Sequence, residues 1–118
     1  AQQSAQWDQT MAVTITSAIL IQHPELRAIL CANDNMALGA LAAVSQAGKK
    51  DQIKIVGFDN ISSIKNLIRD KAILASADQH ADLLAVYGIE YAIEALSSTS
   101  LLDAKLTPVD LITFDSLD

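Results

Sequence analysis

Three apolar runs of this 118-residue chain end in small polar side chains. Residues 27–32 lead into Asn33-Asp34-Asn35, residues 53–57 into Phe58-Asp59-Asn60, and residues 73–77 into Asp78-Gln79-His80. Amides and carboxylates so placed can make paired hydrogen bonds with the hydroxyls of a polar ligand. The same residue types are favoured helix N-caps, where they satisfy the free N–H groups of the first turn. A helix needs one such cap, and each junction supplies at least two candidates. With Asp34 or Asn35, Asn60 and Asp78 as caps, Asn33, Asp59 and Gln79 have no structural duty. They are the candidate ligand contacts.

Trp7, the only tryptophan, stands in a polar opening, AQQSAQWDQ. Asp8 is the expected N-cap of the following helix, which puts Trp7 at the position of a hydrophobic staple. Its flat face could equally stack on the apolar face of a ring while amides hold that ring's polar groups. Other chemistry lacks the residues it needs. His23 and His80 are far apart with no metal-binding spacing, and the glycines form neither a dinucleotide nor a phosphate-binding loop. Ser62-Ser63 lacks the context of a nucleophile elbow, and Asp59 has no partner acid, histidine or metal cluster nearby in sequence. No catalytic set, cofactor or metal is expected. Cys31, the single cysteine, cannot form an internal disulfide and reads as a small apolar residue of a strand.

Placing the three polar junctions on one side of the molecule is a task for the fold. Four short runs read as strands, at about residues 27–32, 53–57, 73–77 and 109–113. Helical periodicity covers residues 8–22, 35–47, 60–70 and 80–96, with Gly48 where a C-terminal glycine cap belongs. Residues 97–107 (SSTSLLDAKLT) read as a surface connection. Helices alternating with strands over short connections predict an α/β fold, a Rossmann-like parallel sheet with helices on both faces. In such a sheet the carboxyl ends of the strands share one edge, where open α/β proteins bind ligands.

Composition is that of an ordered globular chain, 51% apolar and 19% charged. Eight basic against fourteen acidic residues give a net charge of −6, which argues against nucleic acid as a partner. The run Lys49-Lys50 beside a turn is a solvated loop. No apolar stretch is long enough to cross a bilayer, and no signal peptide is visible. The four strands are fewer than a doubly wound sheet normally has, so the chain is expected to be part of something larger.

The segments AILCANDNMALGALAAVSQAGK, IKIVGFDN and ILASADQ, followed by a long helix, resemble periplasmic sugar-binding proteins of ABC importers, of the ribose-binding type. The similarity runs from about Gln3 to Thr113, and the NDxMALGA and VGFD elements carry it. Effector domains of the lactose-repressor family share these elements and give the alternative reading, a regulator whose sugar binding shifts DNA affinity. The resemblance implies a monosaccharide, a ribose-like pentose or related hexose, held without catalysis between two α/β lobes. It implies that Trp7 packs against the sugar ring while Asn33, Asp59 and Gln79 bond its hydroxyls. It also implies an ABC permease as partner and a periplasmic location.

Against that family the amino-terminal lobe, the first strand and helix of the carboxyl lobe and an arginine found there are missing. The chain thus resembles a fragment of the carboxyl-terminal lobe of a type I periplasmic binding protein. Residues 1–78 would be the lobe core, 79–108 a crossover and a helix that in the family packs on the absent lobe, and 109–118 a returning strand and tail. The face of that helix bearing Leu83, Leu84, Tyr87 and Tyr91 is expected to lack cover and to favour self-association.

Overall fold

The computed structural model describes residues 1–97 and 103–117. Its elements follow in the order α1 (Gln9–Gln22), β1 (Ala28–Leu30), α2 (Asp34–Gln46), β2 (Lys54–Phe58), α3 (Ser62–Arg69), β3 (Ala75–Asp78), α4 (Ala81–Ser97) and β4 (Asp110–Thr113), with a short 3₁₀ turn at Phe114–Ser116. All four expected strands and all four expected helices are present, with ends shifted by a few residues. Part of the connection expected at 97–107 lies outside the described residues.

The strands form one sheet in the order β1-β2-β3-β4. Strands β1, β2 and β3 are parallel, with Ile29 beside Ile55 and Val56 beside Ala75. The fourth differs from the parallel expectation: β4 runs antiparallel to β3, pairing Ala77 with Leu111 and Asp78 with Asp110. The reason is topological. The chain leaves the sheet after Asp78 and re-enters beside that same end, so it can only run back down the neighbouring strand.

Stepping from β1 to β2 to β3 in one direction, two right-handed crossovers place α2 and α3 on the same face. Ala37, Ala40 and Val44 of α2 and Ile64 and Ile68 of α3 accordingly meet Ile55 in one buried cluster, with Ile53, Ile73 and Leu20 of α1. Across the sheet, Leu30 of β1 is 82% exposed. Fully burying a branched aliphatic side chain contributes about 1.5–3 kcal/mol, so this cluster is a major source of the chain's stability.

Local signals set the helix ends. Asp8 caps α1 as expected, its carboxylate accepting from the Met11 amide at 2.7 Å. At the end of α2 the Gly48 N–H donates to the Ser45 carbonyl and the Lys49 N–H to that of Val44, closing the helix with Gly48 at φ 67°. Helix α4 contributes no buried residue. Its Leu83–Tyr87–Tyr91 side is nonetheless half-covered rather than bare. The returning segment folds over it: the Tyr91 hydroxyl donates to the Asp103 carbonyl at 2.7 Å, and the Lys105 ammonium lies 3.7 Å from the Tyr87 ring centre. Leu84 on the same helix is exposed.

Helices α1 and α2 touch at Gly39, where a β-carbon would run into the Gln9 carbonyl and the Ala12 side chain. Gly39→Ala should therefore separate the two helices and destabilise the chain by about 1–3 kcal/mol, despite alanine's better helix propensity. Urea unfolding of the variant against the parent measures this directly.

Candidate ligand-binding site

The three parallel strands end on one edge and deliver Asn33, Asp59 and Gln79 there. Asp59 and Gln79 come together: the Gln79 side-chain amide donates to Asp59 Oδ1 at 3.0 Å, across the ends of neighbouring strands. The Asp59 amide donates to the Ala77 carbonyl at 2.8 Å, which extends the β2–β3 pairing by one residue.

Asn33 has a structural duty that the sequence reading gave to Asp34 or Asn35. With extended backbone (φ −150°, ψ 170°), it is the N-cap of α2, and its Oδ1 accepts from the Met36 amide at 2.8 Å. Helix α2 thus begins at Asp34, one residue earlier than expected. The cap uses the oxygen of Asn33 and leaves its Nδ2 donors outside the helix.

Asp34 is turned inward and is fully buried. One oxygen accepts from the Ser76 hydroxyl at 2.8 Å and the other from the Ile61 amide at 2.9 Å. Ser76 Oγ in turn accepts from the Asn60 amide at 3.0 Å. Gly57 makes room for this arrangement, since a β-carbon there would drive into Asp34 Oδ1. Between the anchored atoms the chain makes a tight turn, with Asp59 at φ 106° and Asn60 at φ 54°. Side chains other than glycine rarely adopt such angles, and Asn and Asp are among the most tolerant of the left-handed region.

Asn60 is not a cap. Helix α3 starts after Ile61 with no side-chain cap, and Asn60 Nδ2 instead donates to Asp78 Oδ2 at 2.8 Å. The Asn60 Oδ1 atom is buried without a partner among the described residues. Asp78 Oδ1 accepts from the His80 amide at 2.8 Å, and His80 Nε2 lies 2.8 Å from Asp110 Oδ2 of β4. None of these links, nor the Asp34–Ser76 pair, was foreseen from sequence. The available signal was a serine inside the apolar run that becomes β3.

Trp7 sits at φ 60° and is 65% exposed, so a staple onto the following helix does not enclose it. It lines a groove with Cys31, Ala32 and Met36, at the end of β1 and the first turn of α2. The surroundings of Cys31 disfavour its thiolate, the nucleophilic form. Burial, aided by the nearby Asp34 charge, pushes its thiol up to about 11. Among the described residues no group of three or more His, Cys, Asp or Glu side chains could hold a metal ion. No helix there is long and apolar enough to cross a membrane.

The family model described as "periplasmic binding protein domain" matches residues 1–100. The chain is 44% identical over 115 residues to the D-ribose/D-allose-binding protein of Pseudomonas aeruginosa, covering 94% of this chain and 36% of that protein. A solved ABC-transporter solute-binding protein from Burkholderia multivorans is 43% identical and superposes with a TM-score of 0.87, over 94% of this chain and 40% of that one. A periplasmic solute-binding protein from Actinobacillus succinogenes with bound D-allose is 26% identical with a TM-score of 0.89, over 97% and 40%. The chain therefore spans between a third and two fifths of the length of these relatives.

The surroundings shift the pKa values of two carboxyls at the strand edge in opposite directions. Burial, with the Asp59 charge adding to it, raises the pKa of Asp34 against the opposing hydrogen bonds from Ile61, Ser76 and Phe58. Hydrogen bonding from Asn60 holds Asp78 below its usual value, with help from the His80 amide and nearby positive charge. A lowered folded-state pKa contributes stability that is present above the unfolded value and is lost as pH falls through the folded one. Asp78→Asn should thus lose less of its thermal midpoint than the parent on acidification below about pH 4, measured by circular dichroism melts across that range.

Proposed function

Because this chain belongs to the periplasmic binding protein domain family, we propose that it forms one wall of a monosaccharide site in the sugar-binding component of an ABC-type importer. A ribose- or allose-like sugar is the ligand class, as the names of its relatives suggest. The observation that carries this reading is the Asp59–Gln79 pair, an acceptor-only carboxylate bonded to an amide that keeps a second N–H and a carbonyl free for a neighbouring hydroxyl. Asn33, its Nδ2 free of the cap, supplies further donors, and Trp7 offers an exposed flat face for the apolar side of the ring.

The role is binding without catalysis. Hydroxyls on a pyranose or furanose each donate once and accept twice, which an ionised carboxylate and two amides can match without moving a proton between heavy atoms. A sugar touching this wall and a facing lobe would favour the closed arrangement over the open one by the free energy of the contacts made only when closed. The closed form would then dock on the permease on the outer side of the membrane.

Trp7 emission gives the test. D-ribose and D-allose, then other pentoses and hexoses, are titrated into the chain, and into a chimera carrying these residues in place of the matching segment of the Pseudomonas aeruginosa relative. A saturable change with one sugar is expected, and Asp59→Ala should weaken it by about 10- to 100-fold, the loss of a charged hydrogen-bond acceptor. A folded chimera that answers to no sugar would sink the reading.

A further inference from the structure

We propose that Asp34 is the positioning residue of this site: through Ser76 and the Ile61 amide it holds the Asp59–Asn60 turn in the conformation that presents the Asp59 carboxylate. The inference rests on the sugar-binding reading for its ligand and on the hydrogen bonds alone for its geometry.

Asp34 lies in the first turn of α2, yet its carboxylate does not serve that helix. It spans two other segments, taking the Ser76 hydroxyl from β3 and the Ile61 amide from the approach to α3. Ser76 relays the restraint to the Asn60 amide. Two consecutive backbone amides, Asn60 and Ile61, are thereby tied to one buried carboxylate, directly or through one hydroxyl. These are the two residues that follow Asp59, and the turn they make is left-handed at both Asp59 and Asn60. Such angles persist only where surrounding structure over-determines them. The Asp59 side chain adds one bond of its own, to Gln79. Without the Asp34 anchor the turn would relax toward ordinary backbone angles and carry the carboxylate out of register with Gln79.

The arrangement also explains an otherwise unfavourable choice. Burial works against the ionised form of Asp34, yet both of its oxygens accept hydrogen bonds, from the Ser76 hydroxyl and the Ile61 amide, and Asp34→Asn would turn an N–H toward one of those two donors. An ionised acceptor also grips an amide roughly twice as strongly as a neutral one. Loss of the acceptor acts on the two amides it holds, so the test reads the turn residue by residue.

Amide hydrogen exchange on the 118-residue chain, read residue by residue by NMR, is compared among the parent, Asp34→Asn and Ser76→Ala. Exchange at Asn60 and Ile61 should accelerate by about 10-fold in both variants, as expected for loss of charge assistance or of the relay. In both variants the amides of α2 should keep their protection, because the loss is confined to the Asp59–Asn60 turn. D-ribose affinity, read from Trp7 emission in the chimera, should weaken by about the same factor. Unchanged exchange at Asn60 and Ile61 in both variants overturns the proposal. So does a uniform acceleration across all amides, the mark of a merely structural role, or a loosened turn with unaltered sugar affinity. Silence of the parent chimera toward every sugar would end the sugar reading instead, and the exchange data would still decide whether Asp34 holds the turn.

Discussion

A carboxylate with no access to water has to find its hydrogen bonds inside the protein, and Asp34 finds them on segments far from its own in sequence. Burying such a group unpaired would cost several kcal/mol, a large share of the stability of a domain this size. The sequence around it is accordingly constrained. Position 57 can carry no side chain, position 76 must offer a hydroxyl, and the amide of residue 61 must point back toward the sheet. These requirements fix how the ends of β2 and β3 and the start of α3 meet. The polar edge of the sheet is built outward from that single buried group.

The same constraint explains which parts of the site were legible in the sequence. Asp59 and Gln79 stood out because each followed an apolar strand and neither was needed to start a helix, and the fold does bring them together. The triplet Asn33-Asp34-Asn35 was mis-phased by one residue. All three are acceptable caps, and the choice depends on which residue keeps extended backbone while its side chain reaches the third amide onward, a matter of tertiary placement. Of the two residues that the sequence offered as the cap, Asp34 and Asn35, the interior claimed Asp34. Asn60 was misread in the same way: its side chain serves Asp78 across the strand ends.

For the fold, the alternation of helix and strand was sufficient to reveal the α/β class and the parallel pairing of β1, β2 and β3. Strand direction beyond β3 was not readable, because a connection that passes through a 17-residue helix and a further loop can return to either end of a sheet. Nor did periodicity show which face each helix would occupy; that follows from the order of the strands, which apolar patterns do not encode. Helix α4 illustrates a related limit. Its pattern of leucines and tyrosines announced a helix correctly, but the partial cover of Tyr87 and Tyr91 comes from Asp103 and Lys105 in the loosest part of the sequence.

Cys31 gives the buried carboxylate a second consequence, in the redox chemistry of the chain. With its thiol pushed up to about 11, very little of it is the reactive thiolate at neutral pH. Attack on a disulfide, alkylation and oxidation to the sulfenic acid all start from that thiolate. An unpaired cysteine in oxidising surroundings would ordinarily invite cross-linking between copies or mixed disulfides with small thiols. Here the negative charge that organises the strand ends also helps to keep the neighbouring sulfur protonated, which disfavours all of these reactions at that position.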